Sequence, residues 1–158
     1  MLHVTLIALH ALSALVAFTA GCVAIRRRAL FPAYFWALVA TLLFVVLAVA
    51  TDWPRLDTPA RAAFTALLGL GAVVGWQAIA AWRALATDLP PASGVSGRYL
   101  NHLGFTLVAL FDAFVIILAI DLGAGTPVAV VVGVLGAAGG NLALRVLKSR
   151  LAPHPDQP

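Results

Sequence analysis

Five apolar runs, each long enough to cross a lipid bilayer as a helix, dominate this sequence of 158 residues. A membrane-spanning helix needs about 17 to 25 predominantly apolar residues, and charges and prolines delimit runs of that length here. No run shows the sustained alternation of a β-strand, so the predicted fold class is all-α, a single polytopic membrane domain. We predict five transmembrane helices, at about 3–25, 33–51, 62–82, 99–121 and 127–144, followed by a cytoplasmic tail at 145–158.

The scarcity of charged residues supports a membrane location. Charged residues make up 10% of the chain and hydrophobic residues 63%, whereas a soluble domain carries roughly 25% charged residues. The lipid bilayer is therefore the expected solvent. The net charge of +4 does not indicate a nucleic-acid partner, because the basic residues form clusters between apolar runs and do not follow one face.

The positions of the basic residues predict the orientation. With five spans, the first loop, the third loop and the tail lie on one side of the membrane, and loops rich in Lys and Arg stay in the cytoplasm. We therefore expect the N-terminus outside and the C-terminus in the cytoplasm. Those three regions hold eight of the ten basic residues: Arg26, Arg27, Arg28, Arg83, Arg98, Arg145, Lys148 and Arg150.

Asp112 lies in the middle of the fourth apolar run, within LVALFDAFVIIL. An ionisable residue inside a span is costly and is by default a functional candidate. His10 lies at a similar depth in the first run, about 10 Å below its outer end at a rise of 1.5 Å per residue. We predict that His10 and Asp112 form an intramembrane polar pair. It either exchanges a proton or binds a ligand, or it is a hydrogen bond that fixes helix register.

A second polar group lies towards the cytoplasmic ends of the spans. Its members are Gln77, Asn101, His102 and Asn141, each within two turns of the inner end of its helix. Two interpretations stay open for this inner polar cluster. The side chains line an inward-facing vestibule, or they reach to water and cap or tie neighbouring helices.

Glycines at helical spacing indicate close contacts between helices. GAVVG carries Gly71 and Gly75 four residues apart, and GVLGAAGG carries Gly133, Gly136 and Gly140. Small residues at such spacing let helix backbones approach each other in a membrane. These faces pack either within the five-helix bundle or against another protein.

The residue types give no pattern of a cofactor, metal or catalytic site. A haem between two histidines is disfavoured, because His10 and His102 differ in depth by roughly 15 Å on the helical rise. A b-type haem held by one histidine or shared with another subunit stays an alternative. The single Cys22 excludes a CxxC motif, no glycine-rich loop indicates nucleotide binding, and no serine has the context of a nucleophile. We therefore predict that the chain is not an enzyme.

Two long stretches carry a resemblance to a known class of protein. LHALSALVAFTAGCVAIRRR followed by PAYFWALVATLLFVVLAVATDW resembles small membrane proteins of high-GC bacteria that are catalogued mainly as domains of unknown function. The run GFTLVALFDAFVIILAIDLGAG resembles the later part of such proteins. The resemblance implies a bacterial cytoplasmic-membrane location and transfers no chemistry.

These observations predict a non-enzymatic integral membrane protein, a small accessory or assembly subunit of a larger membrane complex. Short loops leave almost no soluble machinery, and the glycine-rich faces suit contact with other membrane subunits or self-association. A small proton-coupled carrier that uses His10 and Asp112 is the alternative, and a haem- or redox-associated subunit is a further one.

Overall fold

The computed structural model describes residues 2–87, 96–123 and 126–151, and nearly all of these residues are helical. Two short 3₁₀ turns, Arg28–Leu30 and Trp53–Arg55, precede and follow the second helix. The described chain thus has the predicted all-α class with five helices. They are α1 (Leu2–Ala24), α2 (Phe31–Asp52), α3 (Thr58–Thr87), α4 (Gly97–Asp121) and α5 (Thr126–Leu151).

Local signals in the sequence set the ends of these helices. Asp57 caps the start of α3, since its Oδ1 accepts a hydrogen bond from the backbone N–H of Ala60 at 2.9 Å. Ser96 plays the same part for α4, where its Oγ accepts from the N–H groups of Arg98 and Tyr99. Gly123 follows α4 with a φ of +82°, a conformation that glycine adopts without steric cost.

Four helices are longer than the sequence predicts, and the second, expected over 33–51, runs from Phe31 to Asp52. The third was expected over 62–82 and runs from Thr58 to Thr87, and the fourth begins at Gly97 rather than at 99. The fifth continues to Leu151, so the first half of the expected tail at 145–158 is helical. The physical reason is that a charged residue ends an apolar run without ending a helix, because Arg and Lys are good helix formers.

Four helices have the length and hydropathy of membrane spans. They are Leu2–Ala24, Arg28–Arg55, Ala60–Thr87 and Gly97–Ile116, with mean hydropathies of 2.1, 2.4, 1.7 and 1.5. The described apolar part of α5 is shorter and covers Gly133–Leu147. Large apolar side chains face outwards along the spans, and Trp36, Trp76 and Phe114 are each more than 60% exposed. Such a surface suits lipid, and the chain is a multi-pass membrane protein.

The contacts within the chain define two compact units, one up to Ala78 and one from Ile79 onwards, with the boundary inside α3. In the first unit α1 packs against α2. The face of α1 that meets α2 includes Leu6, Ala17, Gly21 and Ala24, all buried. Gly71 and Gly75 on α3 both lie against Leu42 of α2, since a Cβ at either glycine would be 3.2 Å from a Leu42 methyl group.

In the second unit α4 packs against α5, and glycines mark the contact at every turn. Residue numbers along α4 fall as those along α5 rise, so the two helices are antiparallel. A Cβ built on any of these glycines would come closer to the facing side chain than real contacts allow. The facing pairs are Gly104 with Leu144, Val108 with Gly140, Asp112 with Gly136 and Ile116 with Gly133.

Gly140→Ala is expected to destabilise the protein, whereas Gly139→Ala is expected to be neutral. A Cβ at Gly140 would lie 2.5 Å from both methyl carbons of Val108, and a β-branched side chain has little rotameric freedom to yield. Overpacking of this kind costs about 1–3 kcal/mol. Gly139, its neighbour on the same helix, has open space where its Cβ would be.

The measurement is denaturant-induced unfolding of both purified variants in mild detergent, followed by circular dichroism. Equal stability of the two variants would contradict the described packing of α4 on α5.

Candidate functional site

His10 is tied to the backbone of α2. Its Nδ1 lies 3.0 Å from the carbonyl oxygen of Thr41, and the imidazole is part-buried. A carbonyl oxygen only accepts hydrogen bonds, so this contact requires a proton on Nδ1. In the neutral ring the lone pair then lies on Nε2, which is the nitrogen able to accept a proton, a hydrogen bond or a metal ion.

Ser13 and Thr41 form a second tie beside His10. The hydroxyl of Thr41 is 3.1 Å from Ser13 Oγ and 2.9 Å from the carbonyl oxygen of Ala37. Ser13 Oγ donates to the carbonyl oxygen of His10 at 3.0 Å. Thr41 is only 3% exposed, so its hydroxyl group and its carbonyl oxygen both lie within the contact between α1 and α2.

A third polar contact joins the first turn of α1 to the last turn of α2. His3 Nε2 is 3.2 Å from Asp52 Oδ2, and His3 Nδ1 is 3.4 Å from the hydroxyl of Thr51. That hydroxyl donates to the carbonyl oxygen of Ala48 at 2.8 Å, so it accepts from His3. The imidazole of His3 therefore lies between the Asp52 carboxylate and the Thr51 hydroxyl, and it joins the start of α1 to the end of α2.

Asp112 has no comparable partner. Its Oδ1 is buried and makes no hydrogen bond within the part of the chain that the structure describes. The oxygen fits against Gly136 of α5, in the space that a Cβ on this glycine would occupy. Burying a polar atom without a hydrogen bond costs free energy, so the position of this carboxyl oxygen needs an explanation other than a hydrogen bond.

The pairing of His10 with Asp112 stays a prediction. The two residues belong to different compact units, and each is described in its own unit. Within those units, His10 binds a backbone carbonyl group and Asp112 fills a space beside a glycine.

The inner polar cluster also stays a prediction, although the second unit gives the position of part of it. Asn141 is exposed, and its Nδ2 donates to the carbonyl oxygen of Ala137 in its own helix at 2.9 Å. Because Gly140 faces Val108 in an antiparallel pair, Asn141 lies about 7.5 Å along the axis from the level of His102. His102 and Gln77 are half-buried, and Asn101 is exposed.

The sequence analysis missed the partners of His10 and His3. The hydroxyl residues Ser13 and Thr41 carry a weak signal, since both interrupt apolar runs. Asp52 ends α2 on the same side as the start of α1, where an antiparallel pair brings it to His3. The carbonyl oxygen of Thr41 gives no sequence signal, because every residue has one.

No group of three or more His, Cys, Asp or Glu side chains gathers within the described ranges in a way that would hold a metal ion. No protein-family model, curated protein or solved structure matches this chain. The resemblance to small membrane proteins of high-GC bacteria therefore stays a prediction.

Thr41→Val is expected to loosen α1 from α2, because it removes the hydroxyl group that donates to Ser13 while the carbonyl group bound by His10 remains. Hydrogen bonds between helices in membranes contribute about 0.6 kcal/mol on average and up to about 1.7 kcal/mol. A loss of free energy of unfolding in this range is the expected result in detergent.

Thr19→Val is the matched control. The Thr19 hydroxyl is exposed and bonds only to carbonyl groups of its own helix, those of Leu15 and Val16. Equal losses in the two variants would show that the Thr41–Ser13 contact does not stabilise the pair.

Proposed function

We propose that this chain is a small accessory or assembly subunit of a larger membrane complex and is not an enzyme. It is an integral protein of the bacterial cytoplasmic membrane, and its N-terminus lies outside. The observation that carries the proposal is how its polar side chains are used. His3, His10, Ser13 and Thr41 all bond between α1 and α2. These contacts join two helices of the same chain, which is a structural use of polar groups in a membrane.

The outward surface agrees with a role in assembly. Trp76 and Phe114 are 64% and 63% exposed, and aromatic residues are enriched among the anchors of protein interfaces. Gly139 on α5 has open space above its Cα atom, so another helix can approach the backbone closely there. The connections between helices are short, with the longest running from residue 88 to 96.

The experiment is a mild-detergent purification of the tagged protein from its native membrane after brief chemical cross-linking. We expect a partner subunit to co-purify in a fixed ratio, as judged by mass spectrometry. An unrelated multi-pass protein with the same tag and a similar abundance is the control. An eluate that contains this chain alone would contradict the accessory role.

A proton-coupled carrier is the second candidate, favoured by two observations on separate residues. Among the described residues Asp112 Oδ1 is buried and finds no hydrogen-bond partner, and the contact of His10 Nδ1 with Thr41 leaves the lone pair on Nε2. An intramembrane acid and an intramembrane base are the groups with which a membrane protein relays protons.

Proton flux into liposomes that contain the purified protein tests the carrier. Asp112→Asn is expected to abolish the flux. His10→Asn should reduce it, because asparagine keeps a donor near the position of Nδ1 and lacks Nε2. Thr19→Val is the control and should leave the flux unchanged. Equal flux through the wild type and Asp112→Asn would exclude this mechanism.

The haem-associated alternative rests on the same Nε2 atom. A histidine that donates through Nδ1 to a carbonyl group is oriented as metal-ligating histidines commonly are. A Soret band in the absorption spectrum of protein purified from its native membrane would support this alternative, and its absence would contradict it.

A further inference from the structure

The carboxyl group of Asp112 lies against a glycine face of α5, in the space that a side chain on Gly136 would occupy. We call this face the glycine notch and define it by Gly133, Gly136 and Gly140. Asp112 Oδ1 occupies the position of a Cβ on Gly136, while Oδ2 lies further out, 3.7 Å from the same point. Ile116 and Val108 fill the notch one turn to either side, against Gly133 and Gly140.

Among the described residues of the second unit, the two helices that form the notch, α4 and α5, place no basic side chain at the level of Asp112. α5, the helix that packs against α4 here, places Gly136 against Asp112, and a glycine has no side-chain donor. Its nearest basic residue, Arg145, is nine positions from Gly136, which is about 13 Å along the axis. On α4 itself the residues that flank Asp112 in the contact are Val108 and Ile116, and His102 is ten positions away.

A carboxylate ion in this setting would lose its hydration without gaining a counter-ion or a hydrogen-bond donor at Oδ1. Removing an unpaired charge from water is far more costly than removing a neutral polar group. The neutral acid is therefore the form that the contact with α5 stabilises, and a neutral carboxyl group has one oxygen without a proton and one that carries it.

We propose that Asp112 is a proton-binding site, in which Oδ2 holds the proton and the glycine notch receives the unprotonated Oδ1. The ligand is a proton and not a metal cation. Ca²⁺ and Mg²⁺ take about six or more oxygen ligands, whereas the notch presents glycine Cα atoms and helix backbone. This inference goes beyond an accessory role and holds whether or not the proton crosses the membrane.

The probe is dicyclohexylcarbodiimide, a lipid-soluble reagent that reacts with protonated carboxyl groups. The carboxyl oxygen bonds to the central carbon of the reagent, and the proton goes to one of its nitrogens. Transfer of the acyl group from oxygen to nitrogen then gives a stable N-acylurea. No atom is lost and nothing is oxidised, so the labelled peptide gains the mass of one reagent molecule.

The experiment labels the full-length protein in its membrane near neutral pH and compares two carboxyl groups in the same molecule by mass spectrometry. Asp57 is exposed, and an ordinary aspartate titrates about three pH units below neutrality. We expect labelling at Asp112 to exceed that at Asp57 by at least about tenfold, because only a small fraction of an exposed aspartate is protonated there.

Two controls complete the design. Asp112→Asn should lose the label from this peptide, and an excess of NaCl or KCl should leave labelling of the wild type unchanged. Absence of label at Asp112 in protein with an intact helical spectrum would overturn the proposal. Protection of Asp112 by Na⁺ or K⁺ would also overturn it, because the notch would then be a cation site.

Discussion

The solvent around this chain determines how its helices are held. Between helices in hydrocarbon, the burial of apolar side chains supplies little driving force, since lipid is as apolar as leucine. The interactions that can still hold two helices together are, first, close packing of their backbones and, second, polar contacts between them. The pair α4–α5 relies on the first, through four glycine contacts spaced along the two helices. The pair α1–α2 relies on the second, through His3, His10 and the Ser13–Thr41 contact.

These two kinds of helix contact explain where each ionisable side chain can be buried. His3 and His10 lie in a pair that provides acceptors, namely Asp52 and the carbonyl oxygen of Thr41. Asp112 lies between α4 and α5. There the glycine face of α5 leaves room for the carboxyl group but offers it no side-chain hydrogen-bond donor. The same gap that lets α5 approach α4 admits the carboxyl oxygen, and the absence of a donor there favours a proton on the acid. Packing and protonation at Asp112 thus have one cause.

The sequence predicts the helical class and the centres of the helices, because apolar runs of bilayer length leave few other folds. It does not predict where α3 and α5 end, since Arg83 and Arg145 end an apolar run while the backbone continues as a helix. The spacing of Gly133, Gly136 and Gly140 marks the packing face of α5. It does not reveal that Val108 and Asp112 lie opposite, because that depends on the register of the two helices. Similarly, the tie between His10 and Thr41 uses a backbone group that no side-chain pattern records.

We propose that α5 is a fifth membrane crossing, and the most direct test of five crossings is the location of the two ends of the chain. Peptide tags at the N- and C-termini are probed with a protease added to intact cells whose outer barrier has been opened, and again after the cytoplasmic membrane is lysed. We expect the N-terminal tag to be cut in intact cells and the C-terminal tag only after lysis. If both tags are cut at the same stage, the chain crosses the membrane an even number of times, which would contradict five crossings.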